Sequence, residues 1–415
     1  MALAWGALLF FAATILPLFR QTGARSWQTI WAEDGFEYFE QAHKYGGLSV
    51  LLRGYGGYLQ LPPRLLAVVS TSIPIHELSI YMALSGTFVG ALLALFTYHV
   101  SEEWIASRSM RLALATLVVL MPVLGAENTA NITNLIWVFA AVAPLALIST
   151  DEHPGAVVAR SAVVFLAASS TSLCFLFLPL AIGFVVLRRT WATGVVATVF
   201  AAGLTLQAAV VLHTKDIVSF IPKGFLTVHR TLTGITDATG LHVFATFLIG
   251  TSTNWLAQHD LLVYGSIILF VAITVFLLRG AERQRQLVAV VFVAYALITF
   301  VAPVWSRRDA APRYSVVPLL LLASAVAILI ADPTRRGSPW IARIGPRLFV
   351  AQVLVVTVIG FTVTTYRSES PRWSASVTSA WELKCHRISS NKVVEVPTDE
   401  FNAWPVGLSC RDLSS

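Results

Sequence analysis

Long apolar runs separated by short polar loops dominate this sequence of 415 residues. A helix needs about 20 apolar residues to cross a bilayer, so runs of roughly that length indicate membrane spans. Counting them predicts about eleven spans, over residues 2–19, 77–100, 112–126, 135–149, 157–170, 173–187, 192–212, 261–278, 287–304, 315–331 and 348–365. The pattern therefore predicts an all-α fold, a polytopic transmembrane helical bundle.

Two weaker apolar stretches fit this scheme less well. Residues 63–75 contain Arg64 and end near a proline, which favours a short external helix lying along the membrane interface. Residues 242–256 are too short for a full span and are typical of a re-entrant or interfacial segment. We divide the chain into a transmembrane domain, residues 1–365, and a small polar tail, residues 366–415. The external loops of the transmembrane domain are residues 20–62, 127–134, 213–241 and 305–314.

The composition narrows the class of protein further. Only 12% of the residues are charged and 56% are hydrophobic, against about 25% charged in soluble domains. The net charge of +7 comes largely from short loops between spans, where topology and lipid headgroups account for it. We expect membrane lipids as partners and no nucleic acid.

Short basic loops set the expected orientation. Arg188-Arg189 and the loops 279–285 and 335–347 are dense in arginine, which is typical of cytoplasmic loops. With eleven spans, the N-terminus is cytoplasmic and the tail is extracytoplasmic, in a bacterial inner (plasma) membrane. More than half of the 29 Lys and Arg residues then lie outside, and an anionic ligand is one explanation for that excess.

The polar tail carries Cys385 and Cys410. Two cysteines in a polar, extracytoplasmic segment indicate a disulfide, because that compartment is oxidising. The alternative is a pair of free thiols.

Acidic residues cluster directly after the first span, in the sequence WAEDGFEYFE. Glu33, Asp34, Glu37 and Glu40 interleave with aromatic residues. Their spacing of three to four residues is also that of one solvated helix face. A carboxylate in an aromatic, partly dry setting instead has a raised pKa and can act as a general base.

An acidic pair in the first external loop resembles the signature of the GT-C glycosyltransferases, multi-span enzymes that use polyprenyl-phosphate-linked sugars. The stretch GYGGYLQLPPR, residues 54–64, is also similar to uncharacterised bacterial membrane proteins grouped near that superfamily. The resemblance implies that Asp34 activates an acceptor hydroxyl, with Glu33 as its neighbour or as a metal ligand. It implies an inverting transfer to a glycan or lipid of the cell envelope. Unlike many members, this chain has no large C-terminal soluble domain.

Transfer from a lipid phosphate also needs cations for the leaving group. Arg307, Arg308 and Arg313, with Tyr314, form the densest external basic cluster. A guanidinium group can donate two hydrogen bonds to the oxygens of one phosphate. Anchoring to lipid headgroups explains the basic cluster equally well. Arg64 either pairs with Glu33 or Asp34 or reaches the phosphate.

Two further loops carry candidate substrate-binding residues. The first holds Lys223, His229 and Arg230, for which a solvated helix is the alternative. In the second, three asparagines recur at every third residue and an indole continues the series, which would place amides and an aromatic ring on one helical face. These residues are Asn128, Asn131, Asn134 and Trp137. The alternative is asparagine capping at a helix N-terminus.

A metal site has little support, because no His, Asp and Glu cluster has ligand spacing. Glu33, Asp34 and a phosphate could share Mg²⁺ or Mn²⁺, which prefer oxygen ligands.

Two other functions remain open. A transporter or flippase of lipid-linked precursors would carry ionisable residues in mid-span, or inverted repeats, and the spans are nearly free of charge. A non-catalytic partner in envelope assembly would tolerate changes at Asp34.

Overall fold

This computed structural model describes residues 2–125, 127, 130–213, 232–250, 259–307, 310–332, 339–385, 390–399 and 403–414. Within these residues the chain is predominantly helical, with two small antiparallel hairpins. The predicted all-α, polytopic helical fold is confirmed.

The first half of the chain forms nine α-helices among the described residues: α1 (Ala2–Ile15), α2 (Glu40–Tyr45), α3 (Leu61–Ser70), α4 (Leu78–Val100), α5 (Arg108–Leu120), α6 (Leu135–Ile148), α7 (Pro154–Ala168), α8 (Leu178–Arg188) and α9 (Trp191–His213). The described part of the second half forms α10 (Leu232–Thr239), α11 (Thr246–Ile249), α12 (Asp260–Leu278), α13 (Arg283–Arg307), α14 (Val316–Ile330), α15 (Pro339–Ile359) and α16 (Trp373–Ala380). Three π-helical segments interrupt this series, at Asp34–Phe39, Gly240–Ala245 and Trp381–Cys385. The strands are β1 (Gly54–Tyr55), β2 (Tyr58–Leu59), β3 (Val393–Val396) and β4 (Val406–Ser409).

Six helices in the described part of the chain are long and apolar enough to cross a membrane: Ile75–Val100, Trp191–His213, Asp260–Leu278, Arg283–Ser306, Pro312–Ile330 and Trp340–Ile359. Shorter apolar helices, of 10 to 17 residues, account for several other predicted spans. The count of eleven spans is therefore not confirmed. One reason is local: the predicted span 112–126 stops being α-helical at Leu120, where Pro122 starts a 3-10 turn.

Two helices form the centre of the bundle. Every residue of α6 and of α14 is buried, as expected for helices that are apolar on all sides. α14 contacts α5, α12, α13 and α15, whereas α6 contacts α4, α7 and α8. The spanning helices around them keep apolar side chains on the outside, as a lipid-facing surface does.

The tail packs directly on the loop that follows α1. Gly407 N donates to Glu40 Oε2 at 2.8 Å, and His43 Nε2 lies 3.1 Å from Asp412 Oδ2. Trp373 Nε1 donates to the Ile75 carbonyl at 2.6 Å. Cys385 and Cys410 form a disulfide within the tail. The tail and the acidic loop therefore lie at the same end of the bundle.

Candidate active site

Asp34 joins the acidic loop to the turn that precedes α6. Its Oδ2 accepts from Ile132 N at 3.1 Å, and its Oδ1 accepts from Thr133 N at 2.9 Å and Thr133 Oγ1 at 2.5 Å. The side chain is only 1% exposed. Burial raises the pKa of Asp34 to about 6, although these hydrogen bonds lower it in part. Both carboxylate oxygens are thus engaged by the protein itself.

The second residue of the π-helix that begins at Asp34 is Gly35, and the packing around it leaves no room for a side chain. A Cβ on Gly35 would lie 2.7 Å from Val406 Cγ2 and 3.0 Å from Ile30 Cγ2. π-Helical turns occur frequently at functional sites. Here the turn places Glu33 and Asp34 in different surroundings, although they are adjacent in sequence.

Glu33 is less buried than Asp34 and faces a different set of charges. Burial raises the pKa of its carboxyl, Arg313 lowers it, and Glu127 raises it. Arg313 and Glu127 form an ion pair, with Nη1 and Oε2 2.5 Å apart. Burial raises the pKa of the hydroxyl of Tyr55 on β1. The charges of Glu33 and Glu37 also raise it, and the charge of Arg313 lowers it. Glu33, Glu127, Arg313 and Tyr55 therefore form one electrostatic cluster.

Arg64 pairs with Glu37, so the prediction that it pairs with Glu33 or Asp34 is wrong. Its Nη2 lies 3.1 Å from Glu37 Oε1, and its Nη1 donates to Gln41 Oε1 at 3.1 Å. Gln41 also donates to Glu37, at 2.7 Å. Glu37 and Gln41 are four residues apart on the same helical face, which explains why both meet Arg64. Arg64 is 1% exposed and lies within the protein interior beside the site.

The asparagines after Glu127 support the turn instead of forming a helical face. Asn131 Nδ2 and Asn134 Nδ2 both donate to the Glu127 carbonyl, at 2.6 Å and 2.9 Å. Asn134 N donates to Asn131 Oδ1 at 2.9 Å. Helix α6 begins only at Leu135, and Ala130 has φ +51°. The prediction of amides on one helical face is wrong for these two residues, and the capping alternative is not met either, because the N-cap residue Asn134 makes no side-chain cap hydrogen bond.

Trp137 and Tyr314 are packed against each other. Their ring centroids are 5.4 Å apart in an edge-on arrangement, and both side chains are buried. The Arg313 guanidinium lies 5.2 Å from the Tyr314 ring centroid, so the aromatic pair supports Arg313. The remaining predicted residues Asn128, Lys223, His229, Arg230 and Arg308 lie outside the described residues, and Arg307 is the last residue of α13.

Sequence reasoning missed Arg367, which is 2% exposed and lies close enough to Asp34 to lower the pKa of its carboxyl. Its Nε donates to Thr29 Oγ1 at 3.1 Å, and its Nη2 donates to the carbonyls of Ser26 and Thr29 at 2.8 Å and 2.9 Å. Its Nη1 reaches the Ala130 carbonyl at 3.4 Å. Arg367 thus connects the tail to both segments that carry the site. The only signal in the sequence is its position as the first basic residue after the last predicted span.

An apolar groove lies within the bundle and includes Met121 and Pro122 in its lining. It has a volume of about 380 Å³ and lies between α5, α11, α12, α14 and α15, with lining residues that include Met121, Phe247, Phe270, Leu319, Trp340 and Phe349. Its lining on α15 extends from Trp340 to Val356, which corresponds to about 24 Å of helix. The turn Pro122–Gly125 at its outer end contacts Pro312–Ser315, the turn that carries Arg313.

Arg20 holds the outer end of the groove in place. It is fully buried, and it donates to the carbonyls of Met121 at 3.1 Å, Pro122 at 3.2 Å and Gly360 at 2.7 Å. A buried guanidinium that bonds to carbonyls in this way fixes the backbone rather than binding a ligand.

Comparisons with known proteins give little support for assigning this chain to a family. No family model matches the chain, and no curated protein sequence matches it. Among solved structures, the chain is similar to the crystal structure of ArnT from Cupriavidus metallidurans in the apo state. The identity is 12%, the TM-score is 0.33, and the match covers 92% of this chain and 91% of that chain. At this identity and TM-score the likeness carries no argument about substrate or mechanism.

Among the described residues, no group of three or more His, Cys, Asp and Glu side chains could hold a metal ion. The predicted Mg²⁺ or Mn²⁺ would need oxygens from the substrate phosphate beside Glu33.

Proposed function

We propose that this protein is a membrane glycosyltransferase that moves a sugar from a polyprenyl-phosphate donor to a hydroxyl group of a glycan or lipid acceptor. One relationship carries the proposal. Glu33, a residue of intermediate exposure, has its carboxyl within electrostatic reach of the Arg313–Glu127 ion pair, and the turn that carries Arg313 contacts the turn Pro122–Gly125, whose first residue lines an apolar groove. A base, a cation and a lipid channel are the three parts that this reaction needs.

Glu33 is the base in this proposal, in place of the Asp34 favoured by the sequence. Asp34 has both oxygens engaged by Ile132 and Thr133 and is closed to solvent. Glu33 is a residue of intermediate exposure, and burial raises the pKa of its carboxyl, which favours uptake of a proton. Asp34 is then a positioning residue, because it holds the segment that carries Glu33.

The reaction is a single displacement. The acceptor oxygen attacks the anomeric carbon while Glu33 takes the proton from its hydroxyl. The bond between the anomeric carbon and the phosphate oxygen breaks, and polyprenyl phosphate leaves with the electron pair. Arg313 stabilises the negative charge that develops on that phosphate. Attack from the side opposite the leaving group inverts the anomeric centre.

The groove suits the hydrocarbon chain of such a donor. Its lining is almost entirely apolar, and the amide of Gln352 within it donates to the carbonyls of Phe247 and Leu248 at 3.2 Å and 2.7 Å. None of the described residues that line it is charged. A transporter path for a charged precursor would need polar or ionisable lining residues, which disfavours that function.

Proteoliposomes with a radiolabelled polyprenyl-phosphate hexose test this function. We expect label to become covalently attached to material in the glycan or lipid fraction of a bacterial envelope extract. Movement of intact donor across the bilayer would instead support the flippase. Absence of transfer with a panel of polyprenyl-phosphate sugars would overturn the proposal.

A further inference from the structure

The chain that follows α2 exposes large apolar side chains beside two cations. Leu48 is 77% exposed and Leu52 is 59% exposed. Arg53 Cζ and Lys44 Nζ lie 3.9 Å and 5.2 Å from the centroid of the exposed Tyr45 ring. We refer to residues 44–53 as the apolar turn. Two leucines exposed to this degree, next to an aromatic ring, mark a surface that another phase or molecule covers.

The backbone of the apolar turn is built to project outward. Gly46 ends α2 with φ +71°, and Gly47 follows with φ +49°, both in the left-handed region that favours glycine. A Cβ added at either glycine would meet nothing within 4 Å. The chain therefore leaves the body of the protein at these glycines and presents Leu48 on its outer side.

The packing of Leu51 fixes the depth of the turn relative to the bilayer. Leu51 packs against a small apolar cluster formed by Leu59, Leu61 and Val210 of α9, and Leu206 of α9 and Phe165 of α7 pack against the same cluster. Helix α9 is long and apolar enough to span the membrane and ends at His213. At 1.5 Å per residue, Leu206 lies about 10 Å and Val210 about 5 Å from that end. The cluster therefore reaches the last two turns of a spanning helix, and Leu51 packs against that cluster.

The apolar exterior of the spanning helices continues into the turn. Leu212 on α9, and Leu65 and Val69 on α3, are exposed, and α3 contacts the turn at Gly47–Val50. Leu48 and Leu52 extend this apolar surface, while Lys44 and Arg53 lie at either end of the segment. Cations beside apolar side chains suit the boundary where lipid phosphates meet acyl chains.

We propose that the apolar turn inserts Leu48 and Leu52 into the nearest leaflet of the bilayer and holds lipid phosphates with Lys44 and Arg53. Helix α2 follows the π-helix Asp34–Phe39 without a break, so the turn anchors the acidic segment at headgroup depth. This inference does not depend on the proposed enzymatic function.

Spin labels at single cysteines test the depth directly. The full chain in lipid nanodiscs carries Leu48→Cys or Leu52→Cys, with Cys174→Ala to remove the free thiol and the disulfide left intact. Leu383→Cys is the matched control, because Leu383 is an 80% exposed leucine of the tail. All three side chains are on the surface, so the fold should tolerate each change, and thermal unfolding checks this.

Accessibility to oxygen and to a water-soluble nickel complex then decides the proposal. We expect the oxygen-to-nickel ratio at positions 48 and 52 to exceed that at position 383 several-fold. Ratios equal to the control would show that the turn is in water and would overturn the proposal. Shielding from both reagents would also overturn it, because it would mean that a protein partner, such as a second copy of the chain, covers the turn.

Discussion

Glu127 Oε2 lies 2.5 Å from Arg313 Nη1, at the point where the turn after α5 meets the turn before α14. Glu127 and Arg313 come from distant parts of the chain, and together they set the charge that Glu33 faces. The pair holds the guanidinium in place, and under the proposed function this guanidinium is the cation that meets the donor phosphate.

Arg313→Lys keeps the positive charge but loses the planar fork that matches phosphate oxygens. We expect a loss of transfer of about 100-fold, comparable with removal of one transition-state donor. Arg313→Ala should in addition destabilise the fold by about 3 kcal/mol, because Glu127 keeps its charge without a partner. Transfer rates and thermal unfolding measure the two effects. Arg372→Lys, at an exposed arginine of the tail, should change neither.

The Glu37–Arg64 pair is expected to contribute to folding more than to transfer. Arg64→Met should lower the free energy of unfolding by about 3 kcal/mol, since it leaves a buried carboxylate unpaired. The double variant Glu37→Gln with Arg64→Met should recover most of that loss, because neither charge remains. Unfolding of wild type and of the two variants in detergent provides the measurement. A double variant less stable than Arg64→Met would show that the ion pair is not the cause.

Asp34 should make stability depend on pH in a definite direction. Burial raises the pKa of Asp34 to about 6, above its ordinary value, so the folded protein holds this proton more tightly than the unfolded chain does. The contribution of this group to stability is therefore fully present below about pH 4 and is lost as the pH rises through about 6. As the pH rises over that range, wild type should lose stability relative to Asp34→Asn, in which this position does not titrate. Unfolding midpoints at about pH 4.5 and about pH 7 test this, and a shift in favour of wild type would contradict it.

The apolar groove predicts a dependence on the length of the donor lipid. Leu348→Trp places a large ring on the groove lining and should raise the KM for a long-chain polyprenyl-phosphate sugar. A short-chain donor should be affected much less, because it leaves most of the groove empty. Val358→Trp is the control, since Val358 lies on the same helix and is exposed outside the groove. Equal effects of the two tryptophans, or of the two donors, would count against the groove as the lipid site.

The position of the acidic segment next to the first apolar helix could be predicted from the sequence, but the contacts of its carboxylates could not. The acidic segment interrupts an otherwise apolar chain, so its polar character alone identified Glu33 and Asp34. Their different surroundings depend on Thr133 and Arg313, which are distant in sequence and meet them only through packing. The prediction for the asparagines is wrong for a local reason. Their spacing of three residues predicts a helix, but Ala130 has a positive φ and the chain forms a turn there. Helix lengths were also misjudged, because apolarity does not show where a proline turn ends a helix.

The most direct test compares transfer by Glu33→Gln and Asp34→Asn in matched proteoliposomes. If Glu33 takes the proton, Glu33→Gln should fold like wild type and lose at least about 100-fold in kcat. Asp34→Asn should instead lose stability, with a smaller loss of kcat at temperatures where it remains folded. Wild-type transfer by folded Glu33→Gln would contradict the account.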